Sequence, residues 1–246
     1  MDTDWDWERF GEKDPYWAVI THEKYRQPNL SAAVVQEFYE TGESQVDWLF
    51  ETVRRFVRPD FAPVSALDFG CGVGRLTIPL AKKCKAVVGV DVSTGMLRKA
   101  QERCDQIGIK NITLVKGDDD LSQVGNKFDL IASYIVLQHI PVDRGLRLFC
   151  RLVDSLNDGG VGALHLTYSR ADSGPDLVRA ESARMLGSGQ RSAEPVMQMN
   201  GYDLNWLFHI LQASGVRRMH TEFSDHGGPL GVMLMFCKGA GQGYSI

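Results

Sequence analysis

Between residues 66 and 168 the chain alternates short apolar runs with stretches of helical period, the pattern of a sheet whose strands are joined by crossover helices. "SALDFG" reads as a buried strand, residues 75–83 as a helix, and "AVVGVD" as a second strand closed by its acid. Ser93 then stands as the N-cap of a helix that buries Met96, Leu97 and Ala100 on one side. "NITLVKGD" and "FDLIASYIV" supply the third and fourth strands. "VDRGLRLFCRLVDSLNDGG" predicts a helix with Leu146, Phe149, Cys150 and Val153 on one face and Gly159-Gly160 as its stop; "VGALHLTY" is the fifth strand. Strands that are apolar throughout are covered on both faces, as parallel strands are.

The flanking pattern differs. Asp203 caps a helix carrying Leu204, Leu207, Phe208 and Leu211, with Gly215 past its end. "RRMHTEFS" and "GVMLMFCK" are strands joined by "DHGGPL", too short for a crossover, so the last pair is antiparallel. Residues 1 to about 60 hold helices, the clearest burying Val46, Leu49, Phe50, Val53 and Val57, whereas residues 169–201 are rich in Ser, Gly, Arg and Met with no strong period. The expected organisation is one domain over residues 1–246: an N-terminal helical cap or lid (1–60), a ligand-binding core (61–168), a cap insertion (169–201), and a C-terminal helix with its strand pair (202–246). The expected fold class is α/β, a Rossmann-like three-layer sandwich with a seven-stranded, mostly parallel sheet.

Composition narrows the partners. A formal charge of −4 and the lack of a basic run argue against nucleic acid. No apolar stretch approaches the roughly eighteen residues of a membrane span, and the start "MDTDWDWERF" is acidic and aromatic, unlike a signal peptide. The 5 cysteines form no C-x-x-C pair, so reduced thiols, no metal site and a cytoplasmic setting are expected. Oligomeric state is left open.

The chemistry centres on "DFGCGVGRL". A P-loop would need a Gly-Lys-Ser/Thr ending that is absent here; a dinucleotide loop G-x-G-x-x-G would need its third glycine at position 75, which is Arg. A bare glycine loop is also compatible with a tight strand-to-helix turn. Its neighbours say more. Asp68 precedes the loop, Asp91 closes the second strand where an acid can accept from both ribose hydroxyls, and Asp118 ends the third strand in "VKGDDD". Parallel strands bring all three to one rim. An acid inside the loop fits a pyrophosphate poorly and an amino-acid ammonium well, so a ligand with amino acid, ribose and adenine, S-adenosylmethionine, would use the whole rim.

In this order and spacing, "LDFGCGVGRLTIPLA", "VVGVDVSTGMLRKA", "VKGDDD" and "FDLIASYIVLQHIP" closely resemble the class I S-adenosylmethionine-dependent methyltransferases, over about residues 64 to 168. The resemblance implies a cofactor site in which Gly70, Cys71 and Gly72 pass the methionine portion and Asp68 lies near its ammonium. It implies that Asp91 takes the ribose hydroxyls, Val92 and Met96 flank the adenine, Asp118 meets the adenine amino group and Asp119 gives a backbone contact, with the Asp118 and Asp119 roles interchangeable. Ser133 and Tyr134 would face the methionine chain. S-adenosylhomocysteine would be the product.

Transfer to a hydroxyl or ammonium acceptor needs a base. His139, past the fourth strand, is either that base or a packed histidine bonded to a backbone carbonyl; His226 in "SDHGGPL" is either a base and acceptor-pocket residue or a turn residue. His165, in mid-strand, reads as core. Tyr16 and Trp17 in "EKDPYWAVITHEKY" either close a lid over the acceptor or anchor the N-terminal segment to the core. Arg170, Arg179, Arg184 and Arg191 of the insertion grip an acidic acceptor or are solvated surface groups, and the methionines of "SARML" and "PVMQM" suit an adaptable pocket or plain core filling. "SYIV" stands where amino-methylating members acting on nucleic acid or protein often carry N/D-P-P-Y/F. The expected activity is methyl transfer to oxygen or nitrogen of a small molecule, with no nucleic-acid or membrane partner; the alternatives are a non-catalytic cofactor-binding module or partner subunit, or an enzyme acting on RNA or protein.

Overall fold

A computed structural model describes residues 3–125, 127–170 and 194–239 of the chain. Seven strands form one sheet: β1 (Ser65–Phe69), β2 (Ala86–Asp91), β3 (Ile112–Lys116), β4 (Phe128–Ser133), β5 (Leu156–Arg170), β6 (Arg218–Asp225) and β7 (Pro229–Cys237), in the order β3-β2-β1-β4-β5-β7-β6. The β1–β2, β2–β3, β1–β4 and β4–β5 pairs are parallel, and β7 runs antiparallel to both β5 and β6. The order reverses between β1 and β4. That is the switch point where the carboxyl ends of parallel strands open a crevice.

The helices are α1 (Thr3–Lys13), α2 (Pro15–Val19), α3 (Ala32–Phe56), α4 (Thr77–Lys83), α5 (Thr94–Ile107), α6 (Val142–Asp154) and α7 (Leu204–Ala213). Ser93 and Asp203 cap α5 and α7 through their side chains, as their sequence positions predict. On one side of the sheet Leu67, Ile131 and Leu164 pack with α6 and α7; on the other, Ala66, Leu130 and Met235 pack against Val46, Leu49, Phe50 and Val53 of α3. Alternation along β1 does this, sending Ala66 and Leu67 to opposite faces. A third apolar group joins Phe10, Phe38 and Tyr39 to Val73 and Met96, so the N-terminal helices share a core with the glycine loop.

Four expectations shift. The helix predicted from residue 75 starts at Thr77, because the preceding residues finish the loop. Helix α6 ends at Asp154, and Gly159-Gly160 lie inside a longer β5, where the pairing with β4 slips register between Phe128 and Leu130. The buried face of α6 runs through Gly145, Leu148, Phe149, Leu152 and Val153, leaving Leu146 and Cys150 half-buried; Gly145 is what admits Tyr202, since a Cβ there would sit 1.7 Å from its hydroxyl. On α7, Leu207 and Leu211 are buried while Phe208 faces out.

Two close approaches seat the N-terminal helices. A Cβ on Gly42 would lie 2.0 Å from the Arg75 carbonyl oxygen, so α3 rests backbone to backbone on the loop, and Tyr39 donates to the Val73 carbonyl at 3.0 Å. A Cβ on Gly11 would lie 2.1 Å from Ser93 Oγ, so α1 crosses directly over the start of α5.

Candidate active site

The strand-to-helix loop after β1 is built on positive φ at Gly70 (74°) and Gly72 (52°), a region that favours glycine. A side chain at Gly70 would run into Val136 at 2.4 Å. The amides of Gly70 and Cys71 both donate to the Val90 carbonyl, which ties the loop to the end of β2. Asp91 completes the tie: one carboxylate oxygen accepts from Gly72 N and the other from Ser93 N, each at 2.8 Å. Burial pushes its pKa up to about 6 against the pull of those two bonds.

Over this rim lies a cavity of about 610 Å³, within the range of small-molecule sites. From the loop and the ends of β2 and β3 it is lined by Gly70, Gly72, Asp91, Val92, Met96 and Asp118. From beyond β4 and from the β6–β7 hairpin come Tyr134, His139 and His226.

Other predicted site residues lie elsewhere. Asp68 leaves β1 on the α4 side and accepts from the Thr77 hydroxyl at 2.6 Å, fully buried beneath the loop and outside the cavity lining; burial raises its pKa to about 6. Its side chain therefore does not reach the cavity wall, which corrects its expected place beside an ammonium. Cys71 turns its sulfur toward Gly89, under the loop, and burial pushes the thiol's pKa well up. Asp119 pairs at 2.6 Å with Arg144, which lines the cavity, and of the Asp118–Asp120 run Asp118 is the acid on the wall. Ser133 is buried with an unpartnered hydroxyl and pairs with Leu164, on the α6 side of the sheet.

Tyr16 and Trp17 also depart from the expected lid contact. Tyr16 packs edge-on against Phe38, centroids 5.1 Å apart, and Trp17 lies under the Arg26 guanidinium at 3.8 Å. The one-turn helix α2 points both rings at neighbouring helices and turns the following Val19 and Ile20 to the cavity. From the N-terminal helices the aromatic at the cavity is Trp7 of α1, 4.9 Å from the His139 ring. The i, i+3 spacing of Trp7 and Phe10 was the available signal, masked by the acidity around it. Helix α1 is held there by Arg144, bonded to both oxygens of Asp4 at 2.7 and 2.8 Å, and by Thr3 Oγ1 donating to the His139 carbonyl. Met197 and Met199 of "PVMQM" line the same space; Arg179, Arg184, Arg191, Met185 and the side chain of Arg170 lie outside the described residues.

Two histidine arrangements follow. His139 Nδ1 lies 2.6 Å from the Gln198 carbonyl, an acceptor only, so Nδ1 carries the proton and Nε2 the lone pair. Burial lowers its pKa to about 4, so it is neutral at pH 7. His226 Nε2 lies 2.9 Å from Ser224 Oγ and 3.1 Å from His165 Nε2. The facing ring nitrogens share a single proton, and burial with the nearby His226 lowers His165 to about 3. His165 read as core in the sequence; strand pairing brings it to the hairpin, and Gly231 leaves the space, since a Cβ there would lie 2.5 Å from His165 Nε2.

A Rossmann-like sheet thus carries its cavity at the switch point, between a glycine loop bolted to a β2 acid and a wall that includes His139 and His226. Residues 66–160 match the methyltransferase domain family. Over 85 residues the chain is 34% identical to the magnesium-protoporphyrin O-methyltransferase of Synechocystis sp. PCC 6803, covering 35% of this chain and 37% of that enzyme. The chain thus spans little more than a third of the length of this relative. The structure of magnesium protoporphyrin IX methyltransferase from Synechocystis PCC 6803 with bound SAM has a TM-score of 0.63 at 18% identity, covering 97% of this chain and 98% of that one. The N-methyltransferase NodS of Bradyrhizobium japonicum WM9, in complex with S-adenosyl-L-homocysteine, has a TM-score of 0.62 at 16% identity, covering 97% and 99%. The two structural likenesses speak to the fold. The family match is confined to residues 66–160 of the chain.

Proposed function

We propose that the chain binds S-adenosylmethionine and transfers its methyl group to an oxygen or nitrogen of a small molecule. The observation that carries this is one cavity lined both by the Gly70–Asp91 loop and by His139, whose Nδ1 is held by the Gln198 carbonyl. The residues fit the cofactor: Asp91 keeps free acceptor capacity on both oxygens for the ribose, Val92 and Met96 offer apolar surface to the adenine, Asp118 an acceptor for its amino group, and the side-chain-free loop a path for the methionine portion. When bound, the cofactor supplies a methyl group already activated on a sulfonium. The chain's task is then to orient an acceptor in line with it, exclude water and take up a proton.

In this reading His139 Nε2 takes that proton, as a weak base whose pKa burial lowers to about 4. His226 is the second candidate, with Ser224 and His165 able to pass the proton on. Thr3, Asp4 and Trp7 of helix α1 line the cavity, and in this reading they shield the reacting groups from water. Within this reading residues 61–168 hold the cofactor, and residues 1–60 with 169–201 enclose the acceptor. The bounded cavity and acidic balance favour a small acceptor, and the relative named above is a magnesium-protoporphyrin O-methyltransferase. The 5 cysteines are free thiols, which supports a reducing, cytoplasmic setting, and among the described residues no helix is long and apolar enough to cross a membrane.

The test is calorimetric titration of S-adenosylmethionine and S-adenosylhomocysteine, followed by radiolabelled methyl transfer to small-molecule, RNA and protein fractions. Binding with label in the small-molecule fraction is expected. Label in RNA or protein would reassign the acceptor, tight binding without transfer would mark a non-catalytic module, and absence of binding would overturn the reading.

A further inference from the structure

Arg75 occupies the position where a dinucleotide loop would have its third glycine, and it is the one loop side chain that turns into the cavity as a cation. Its residue surface is only 8% exposed. Nη2 donates to Gln45 Oε1 at 2.8 Å, Nη1 reaches Thr41 Oγ1 at a long 3.4 Å, and the guanidinium carbon stands 5.8 Å from the centre of the Tyr134 ring. These partners are neutral. Among the described residues no carboxylate lies within 4.0 Å of it.

Arg144 makes the contrast. Its side chain is more open to solvent (20% exposed), yet it holds the carboxylates of both Asp4 and Asp119. A guanidinium has five N–H donors in a rigid fork, and a buried one without a counter-charge costs several kcal/mol to keep. Burial already draws the pKa of Arg75 down, with the charge of Asp68 opposing that pull from outside ion-pair range. Asp68 cannot close the gap, because its carboxylate is committed to Thr77 on the far side of the loop. Backbone contact with Gly42 and the bonds to Thr41 and Gln45, all on α3, keep the fork in place.

We propose that Arg75 anchors a carboxylate group of a ligand bound in this cavity, an assignment that rests on the methyl-transfer reading above. A carboxylate matches the fork in shape and carries one charge. A phosphate dianion would leave a net negative charge among the neutral partners of the fork, with nothing there to balance it. The carboxylate has two sources: the amino-acid portion of the cofactor, or the methyl acceptor.

Calorimetry separates them. S-adenosylhomocysteine carries the carboxylate, and 5′-methylthioadenosine lacks the whole amino acid. If the cofactor is the source, Arg75→Gln weakens S-adenosylhomocysteine by about ten- to a hundredfold and leaves 5′-methylthioadenosine within about twofold. If the acceptor is the source, both nucleosides bind Arg75→Gln as they bind the unaltered protein. Acetate then raises the melting temperature of the S-adenosylhomocysteine-loaded protein saturably, neutral acetamide does not, and Arg75→Gln shows neither effect. Should Arg75→Gln not fold, Arg75→Lys keeps the charge without the fork, and a weaker response of the same kind is expected. If the altered proteins match the unaltered one with both nucleosides and with acetate, the assignment is overturned. If the unaltered protein binds neither nucleoside, the methyl-transfer reading fails, and acetate against acetamide on the ligand-free protein decides Arg75 by itself.

Discussion

Asp91→Asn separates the architectural work of this residue from its work on a ligand. In the folded protein its two oxygens each take one backbone amide, from Gly72 and Ser93. Asparagine keeps the shape but has one oxygen and one NH₂ group, so either the Gly72 or the Ser93 amide meets a donor instead of an acceptor. An unsatisfied buried donor costs about 1–3 kcal/mol. Against this stands a relief. The carboxyl titrates at about 6 instead of 3.8, so holding it ionised at pH 7 costs about 3 kcal/mol relative to the unfolded chain, and the amide has no such cost. The two terms nearly cancel, and folding stability should change by no more than about 2 kcal/mol in either direction. Affinity has no such compensation. A ribose hydroxyl that donates to a carboxylate oxygen loses a charge-assisted bond of about 1.5–3 kcal/mol, a ten- to hundredfold weakening for S-adenosylhomocysteine. The pH profile adds a signature. The ligand prefers ionised Asp91, so the affinity of the unaltered protein should fall below pH 6, by up to about tenfold per unit, while Asp91→Asn loses that dependence. Calorimetry across this range, paired with urea unfolding, measures both halves. Binding by Asp91→Asn within about twofold of the unaltered protein, with the same pH profile, would refute the reasoning.

Three further outcomes are expected. Gly42→Ala, normally a stabilising change within a helix, should destabilise here by about 1–3 kcal/mol or more, because the new Cβ would lie 2.0 Å from the Arg75 carbonyl oxygen; an unchanged or raised melting temperature would show that α3 does not rest on the loop. His139 holds a folded pKa of about 4 against 6.5 unfolded, so its neutral form contributes stability above pH 6.5 that is lost as pH falls toward 4. His139→Gln should therefore lose about 3 kcal/mol less than the unaltered protein between those pH values in urea titrations, and equal losses would contradict the burial assigned to the ring. Arg144→Ala releases Asp4 and Asp119 and should cost about 1–2 kcal/mol, the bridges being partly solvent-screened, with faster limited proteolysis within α1; cleavage at the original rate would mean α1 is held by its apolar face alone.

The sequence by itself determined the strand order along the chain, the antiparallel final pair, the helix caps at Ser93 and Asp203, and the rim that gathers Gly70, Gly72, Asp91 and Asp118. These are local properties: apolar period, capping chemistry, loop length and the geometry of parallel strands act between residues close in the chain or paired by a simple rule. What the tertiary structure decided was direction. Asp68 lies within β1, opposite Gly89, and accepts from Thr77 beneath the loop, while Asp91, two residues further along at the very end of β2, reaches the Gly72 amide and the cavity. The pair Tyr16-Trp17 and Trp5, Trp7 and Phe10 of α1 are alike as sequence, and the crossing of α1 over α5, permitted by Gly11, puts Trp7 at the cavity. His165 and His226 meet across β5, β7 and the hairpin, a contact between distant segments that no local period encodes, and one that exists because Gly231 has no side chain to fill the space between them.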